Sequence, residues 1–348
     1  MRLSNRIKAN RVLFIILLIV FFDSMCFAQG KSDETPTIGM AVEFMDHAAC
    51  AYVARDKGWF KEQGLRVSSY ESYVTGMALA AALARGNIQV AYICLVPAIN
   101  VFANGKVPIR IIAGTHKYGY GVVVNPHKVK SANDLERPGV RIGCVREGGP
   151  VDLLLHKTIE KYNLDPGKIL GKVQRMNPPA QVLAIRMHRL DAAFLPEQWA
   201  TMAEDAGFKM LLTAQDLWPQ MQGSVLVVKE ELIKGHPQIV KRLVNVTQKA
   251  TGWINEHPKE AAQILAQQMS VAGNTALPGK LAEVASKFKI ATQTLMRSMR
   301  RLQYDNTIDK HMVQKTIDYM AGLGYIKGKF KAEKILNFKF LNDLDLQS

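Results

Sequence analysis

Hydrophobic and polar positions change period sharply between Val42 and Phe60, VEFMDHAACAYVARDKGWF, and the chain is organised around that stretch. A β-branched run near Thr37 to Val42 predicts a strand. The segment after it predicts a helix starting near His47, with Asp46 as its cap and Gly58, after Lys57, as a left-handed exit. A second strand is predicted near Leu65 to Tyr70. Tyr73, Val74, Thr75 and Gly76 then lead into an alanine-rich helix, Met77 to Ala84, closed by Gly86 and Asn87, and another strand, Ile88 to Ile93, runs into Cys94 to Pro97. Short strands alternating with helices imply an α/β fold with a parallel sheet, whose binding crevice is built by loops at the strand C-terminal ends. Strand end, short loop and helix N-terminus also gather oriented N–H donors at a positive dipole end, so the loop Glu43 to Ala48 suits a polar or anionic group.

The pattern occurs twice. Ile38, Gly39 and Glu43 recur 104 residues later as Ile142, Gly143 and Glu147, each time where a short strand enters a turn before a helix. Pro150 takes a first-turn position in the second of those helices, with Leu154, Leu155 and Ile159 on one face. Ile88 to Ile93 matches Leu190 to Leu195 in character at an offset of 102. The match reads as two similar α/β lobes in series, or as the resemblance that α/β units share by composition. The loops Glu43 to Ala48, Val74 to Met77 and Cys94 to Pro97 from the first, with Arg146 to Asp152 and Pro196 to Trp199 from the second, would surround one cleft. Gly148 and Gly149 suit close backbone approach to a ligand oxygen. Arg146 reads as an anion partner or as a rim arginine, and His47 as a ligand donor or as cover for the helix start. Glu197 beside Trp199 reads as an acceptor with an aromatic face or as the start of a core helix. Further on, Ile239, Leu243, Val246, Ala250 and Ile254 form one stripe of a helix from Gln238 to Ile254, and a later helix spans Ile308 to Ala321.

Length and charge narrow the classes. A chain of 348 residues holds one large or two medium domains. Its formal net charge is +15, of which +3 lies in the first 28 residues and +12 in the remainder. The excess is concentrated only where Lys327, Lys329, Lys331, Lys334 and Lys339 interleave with Tyr325, Phe330, Phe338 and Phe340, which reads as a terminal segment docking its aromatics with lysines in water. Nucleic-acid binding is not predicted. The basic start, the apolar run Val12 to Phe22 and the small residues Cys26 and Ala28 predict a secretory signal cleaved after Ala28, followed by a linker over 29–36. Lipid attachment at Cys26 ranks second, because Asp23, Ser24 and Met25 fit that pattern poorly. Cys50, Cys94 and Cys144 have no zinc or redox spacing, and their apolar surroundings predict buried small side chains; a Cys50–Cys94 disulfide stays open but unsupported. No nucleophile–base motif, HExxH or phosphate loop is present, so no catalytic residue, metal ligand or cofactor is assigned.

The sequence resembles the periplasmic solute-binding proteins of ABC importers of the nitrate, sulfonate, taurine and thiamine-precursor group, over essentially the whole mature chain. The resemblance is carried by HAACAYVARDKGWFKEQGL (His47 to Leu65), VTGMALAAALARGNIQVAY (Val74 to Tyr92), SANDLERPGVRIG (Ser131 to Gly143), FLPEQWA (Phe194 to Ala200), and HPQIVKRL followed by WINEHPKEAAQIL. It implies an α/β type II periplasmic-binding-protein fold with lobe 1 at 37–120 and 225–348 and lobe 2 at 121–224. Crossovers would lie near Gly114 to Val124 and Gly223 to Val228, and the residues beyond would pack with lobe 1, outside the cleft. By family position, binding roles pass to Met45, Asp46 and His47, to Thr75 and Gly76, to Cys94, to Tyr118, to Arg146, Glu147, Gly148 and Gly149, and to Glu197. The implied function is capture of a small polar or anionic solute by hinge closure, by a periplasmic monomer that delivers to a membrane permease and its ATPase. Asp46, Glu147 and Glu197, with few fixed cations, depart from a site for nitrate or a bare sulfonate and keep an amino-bearing solute or heterocycle open. The alternatives are an enzyme on the same fold, of the pyrimidine-forming or menaquinone-pathway lyase kind, or an exported sensory module. Scattered cysteines and the lack of a lysine in the predicted cleft loops weigh against the pyrimidine-forming enzyme, and export weighs against both enzymes.

Overall fold

Among the described residues of the computed structural model, 36–277 and 290–341, the strands pair into two sheets. The expected leader, its cleavage after Ala28 and the linker before Pro36 lie outside them. The first sheet takes β1 (Thr37–Glu43), β2 (Arg66–Tyr73), β3 (Val90–Cys94) and β4 (Ile109–Tyr118); the second takes β5 (Tyr120–Val124), β6 (Ile142–Cys144), β7 (Val173–Arg175), β8 (Ala192–Pro196) and β9 (Lys209–Thr213). The chain then returns as β10 (Gln222–Lys229) and adds a short β11 (Leu302–Gln303). The orders are β11-β4-β10-β3-β1-β2 and β7-β6-β8-β5-β9.

The repeat legible in the sequence is therefore a repeat of topology. In each sheet three parallel strands run in the order second, first, third, and an antiparallel strand from a crossover, β10 or β5, separates the third from the fourth. The repeated glycines do the same work in both. A Cβ on Gly39 would stand 2.1 Å from the Asn87 carbonyl oxygen, and one on Gly143 would stand 2.6 Å from Leu190 Cδ1, so each lets the first strand lie against the segment that enters the third. β3 is buried on both faces, as a parallel sheet covered by helices requires.

Helices α1 (Ala49–Asp56), α2 (Gly76–Arg85), α3 (Leu95–Ala103), α4 (Pro150–Lys161), α5 (Pro178–Arg186) and α6 (Glu197–Asp205) connect the strands. Local chemistry fixes their ends. Thr75 Oγ1 accepts from the Ala78 N–H at 3.2 Å and Gly86, at φ +107°, ends α2; Asn177 Oδ1 accepts from the Ala180 N–H at 2.9 Å ahead of Pro178 in α5. Helix α7 (Pro237–Glu256) buries its predicted stripe, Ile239, Leu243, Val246, Ala250 and Ile254. Each of its large aliphatic side chains contributes roughly 1.5–3 kcal/mol relative to exposure. Helix α8 (Pro258–Ala276) packs against α1.

The C-terminal segment corrects the expectation that it belongs to lobe 1 alone. Helix α9 (Thr292–Met299) lies on α6: Thr294 Oγ1 donates to Asp205 at 2.7 Å, Arg297 pairs with the same carboxylate, and Arg301 Nη1 meets Glu197 Oε1 at 2.8 Å. Two residues of the same segment hold the first lobe, through Ser298 Oγ donating to Asp46 and Leu302 pairing with Tyr118. Helix α10 (Lys310–Gly322) and the turn after it repeat the bridge, with Tyr319 Oη on Glu160 at 2.7 Å and Tyr325 Oη on Asp152 at 2.5 Å, while the Tyr325 carbonyl takes the Asn104 amide at 2.8 Å. The tail thus straps both lobes.

Candidate functional site

Five of the connecting helices begin at one cavity of about 270 Å³ between the lobes. Thr75 and Gly76 open α2, Cys94 caps α3, Gly149 and Pro150 open α4, Pro178 opens α5 and Pro196 caps α6, and all of these residues line the cavity. The convergence follows from topology, since every parallel strand delivers its following helix at the same sheet edge. Each N-terminus is the positive end of its helix dipole, although α5 opens on Pro178 and Pro179, which have no N–H, and its Ala180 N–H is taken by Asn177. The remaining wall is apolar, from Met45, Val74, Met77, Val145 and Val151 among others, and Arg146 stands exposed at the mouth. Arg175 and Asn177 line the adjoining outer recess.

The floor is polar and buried. Glu43, the last residue of β1, is fully buried; its carboxylate accepts from the Cys94 N–H at 3.0 Å, from the Cys94 thiol at 3.0 Å and from Ser224 Oγ at 3.2 Å. Burial outweighs those donors and pushes Glu43 up to about 7. Tyr120 Oη donates to Cys94 Sγ at 3.0 Å. His47, also fully buried, places Nε2 at 2.7 Å from the Gly119 carbonyl and Nδ1 at 3.7 Å from Cys94 Sγ. A carbonyl only accepts, so Nε2 carries the proton and Nδ1 presents its lone pair to the thiol. Burial holds His47 down to about 3, so the imidazole is neutral. His116 lies against it, ring centroids 4.3 Å apart, and is held well below its usual value by burial and by its neighbour. Gly223 makes room for His116, because a Cβ there would stand 2.1 Å from its Cε1.

The structure sorts the sequence-predicted residues into three groups. Met45, Thr75, Gly76, Cys94, Arg146 and Gly149 line the cavity. Glu147 is 71% exposed, beside Arg175 at 3.6 Å, in the outer recess. The others lie elsewhere. Asp46 is not a helix cap: the short turn Asp46–Ala48 has Met45 at its cap position with no side-chain bond, and the Asp46 carboxylate is buried against Ser298. His47 backs the floor and is not on the cavity wall, and Gly148, at φ +74°, faces the Tyr325 ring. Tyr118, at φ +65°, sits at the crossover, where its N–H donates to the Met221 carbonyl at 2.9 Å. Glu197 is 1% exposed and committed to Arg301 and Thr201, while Trp199 is core. The carboxylates that argued against an anion are thus outside the cavity or paired. Cys50, Cys94 and Cys144 are all free and buried, which excludes the Cys50–Cys94 disulfide and matches the expected small buried side chains. Sequence reasoning did not single out the Glu43 side chain; the available signal was one acid closing an otherwise apolar strand beside the strand that ends in Cys94.

A sequence profile described as the NMT1-like family matches residues 31–270. The chain belongs to the NMT1-like family. This NMT1-like protein is 25% identical over 269 residues to a putative binding protein of Brucella abortus, covering 76% of this chain and 80% of that one. It is 24% identical over 262 residues to the bicarbonate transport ATP-binding protein CmpC of Synechocystis, covering 68% of this chain but only 38% of that relative's length. Its fold is similar to that of the ligand-binding component of an ABC-type import system from Staphylococcus aureus, solved with zinc bound, with a TM-score of 0.72 at 17% identity over 90% of this chain and all of that one. The periplasmic nitrate-binding protein NrtA of Synechocystis gives a TM-score of 0.71 at 15% identity over 88% of this chain and 87% of its own. The expected periplasmic-binding-protein fold is the one present.

Proposed function

We propose that this NMT1-like chain is the solute-binding component of an ABC importer and that its cleft captures a small organic anion, a carboxylate or sulfonate on an apolar body. The observation that carries this reading is the convergence of five helix N-termini and Arg146 on one apolar cavity. An N-terminus contributes roughly 0.3–1 kcal/mol to a nearby anion, so the four that keep N–H donors in their first turn (α5 opens on Pro178 and Pro179) favour an anion over a neutral isostere by on the order of 1–4 kcal/mol. The cavity of about 270 Å³ suits a small solute and opens past Thr75, Val145 and Arg146 into the outer recess. The names of two similar proteins agree in kind, one a nitrate-binding protein and one a bicarbonate transport protein.

The chain passes between the sheets at Gly119 and again between β9 and β10, so solute bound to both lobes favours their closure by the difference in its affinity for the two states. The closed pair of lobes is the surface that a membrane permease and its ATPase would read. Export and cleavage after Ala28 complete the proposal, placing the mature chain in the periplasm. The test is a thermal-shift and calorimetric titration of the mature chain with sodium carboxylates and sulfonates against matched amines, followed by X-ray scattering. A saturating anion that raises Tm, compacts the chain and binds at least tenfold more weakly to Arg146→Ala is the expected result. Binding of amines alone, or of an anion without compaction, overturns it.

A further inference from the structure

Three ligand-type side chains meet under the cleft from separate elements: Glu43 at the end of β1, His47 in the turn after it, and Cys94 at the cap of α3. All three are buried, and one ligand atom of each lies within 4.8 Å of the others. We propose that they form the ligand set of a zinc-class divalent metal site at the floor of the cleft.

Geometry is the first argument. Tetrahedral zinc, with bonds of about 2.0–2.3 Å, sets its ligand atoms roughly 3.5 Å apart. Here Cys94 Sγ stands 3.7 Å from His47 Nδ1 and 3.0 Å from Glu43 Oε2. The second argument is the orientation of the imidazole. The Gly119 carbonyl at 2.7 Å accepts the Nε2–H hydrogen bond and leaves the Nδ1 lone pair facing the thiol, which is the arrangement that fixes a metal-bound histidine in its ligating tautomer. Tyr120, edge-on at 5.1 Å between ring centroids, and His116 hold the ring in place.

Charge is the third argument. A divalent cation held by one thiolate, one carboxylate and one neutral imidazole has no net charge, which removes the main penalty for an ion at such depth. A set of one sulfur, one nitrogen and one oxygen ligand selects zinc or cobalt over magnesium or calcium. Access is the fourth. Glu43 and Cys94 line the cavity while His47 lies behind them, so the cleft is the side from which an ion reaches the set. On binding, the Cys94 S–H bond breaks, the sulfur–metal bond forms and the proton leaves to buffer; no oxidant or reductant takes part. Solute capture does not depend on this site.

The test uses the full mature chain, reduced and stripped with chelator, titrated with cobalt(II) chloride and then with zinc chloride. The expected result is one cobalt per chain with a thiolate-to-cobalt charge-transfer band, displaced by zinc. The band is lost in Cys94→Ser and retained in Cys144→Ser, and His47→Gln weakens uptake at least tenfold. Because Cys94 is buried and its variant can fail to fold, X-ray absorption on the wild-type zinc complex gives an independent reading: one sulfur among nitrogen and oxygen ligands. A folded wild-type chain with no thiolate band, a band that persists in Cys94→Ser, or a zinc shell without sulfur overturns the site. The same stripped protein is titrated with the organic anions, so loss of the metal site and loss of the solute reading appear separately.

Discussion

Arg301 offers a sharp test of how the C-terminal strap holds the lobes. Its guanidinium is half-buried between Glu204 at 2.9 Å and Glu197 at 2.8 Å, and the Glu197 side chain is only 1% exposed. Arg301→Ala leaves that carboxylate buried with Thr201 Oγ1 at 3.1 Å as its remaining donor. Removing one partner of a buried pair costs about 3–5 kcal/mol, unless the orphaned group protonates. Protonation sets the ceiling: an unfolded glutamate titrates near 4.3, and holding it protonated costs about 1.36 kcal/mol per pH unit above that, about 1 kcal/mol at pH 5 and about 3.7 kcal/mol at pH 7. Burial already holds Glu197 above its usual value in the wild-type chain, and loss of the guanidinium raises it further. The sign is therefore fixed. A raised carboxyl favours folding at low pH and that contribution is lost as pH rises, so the defect of the variant grows between pH 5 and pH 7 by up to about 2.7 kcal/mol. Urea unfolding followed by circular dichroism at pH 5, 6 and 7 measures it, with Glu197→Gln in the Arg301→Ala background expected to abolish the pH dependence. A defect of equal size at all three pH values would refute the reasoning.

Four further outcomes follow from individual contacts. Asp191 is held well below the carboxylate range despite its burial by Arg141 and Lys128, whose nitrogens stand 2.8 Å from it, so its contribution is complete above about pH 4 and fades as pH falls toward its lowered value. Asp191→Asn is expected to cost about 1.5–3 kcal/mol at pH 7 and to flatten the acid limb of the stability profile. Gly39→Ala drives a methyl to 2.1 Å from a backbone carbonyl and Gly143→Ala to 2.6 Å from a mobile leucine tip; both destabilise in the range of about 1–3 kcal/mol, the former more, as denaturant midpoints will report. Gly76→Val sets a Cβ at 2.4 Å from Glu43 Oε1 and 2.7 Å from Pro97 Cγ, and calorimetry is expected to show solute binding lost while the far-ultraviolet spectrum is kept. Thr75→Ala removes the cap of α2 and lowers stability by about 0.5–2 kcal/mol, measured by thermal melt.

What could be read from the sequence was whatever depends on near neighbours or on repetition. Ile38 and Gly39 announced Ile142 and Gly143 because each glycine answers the same local crowding, and the matched strand orders are the result. The cavity-lining group Thr75, Gly76, Arg146 and Gly149 was legible for the same reason, since a strand end followed by a helix start is a local signal. Asp46 and Glu197 were misread because their partners are remote. Ser298 is 252 residues from Asp46 and Arg301 is 104 from Glu197, and neither belongs to a motif that points back. Glu43 and Cys94 meet across 51 residues through strand register, which periodicity does not specify.

The placement of β10 between β3 and β4 also dictates an order of assembly. Strands β5 to β9 come from one uninterrupted stretch, Tyr120 to Thr213, so the second sheet can close as soon as that stretch is free. The first sheet cannot, because its inserted strand begins only at Gln222, long after β3 and β4 have emerged. Until then those two strands present facing, unpaired edges that invite any other strand to pair with them. A chain delivered from its N-terminus finishes its later lobe first, and one cut short before Gln222 exposes a gap in the sheet, with aggregation as its fate.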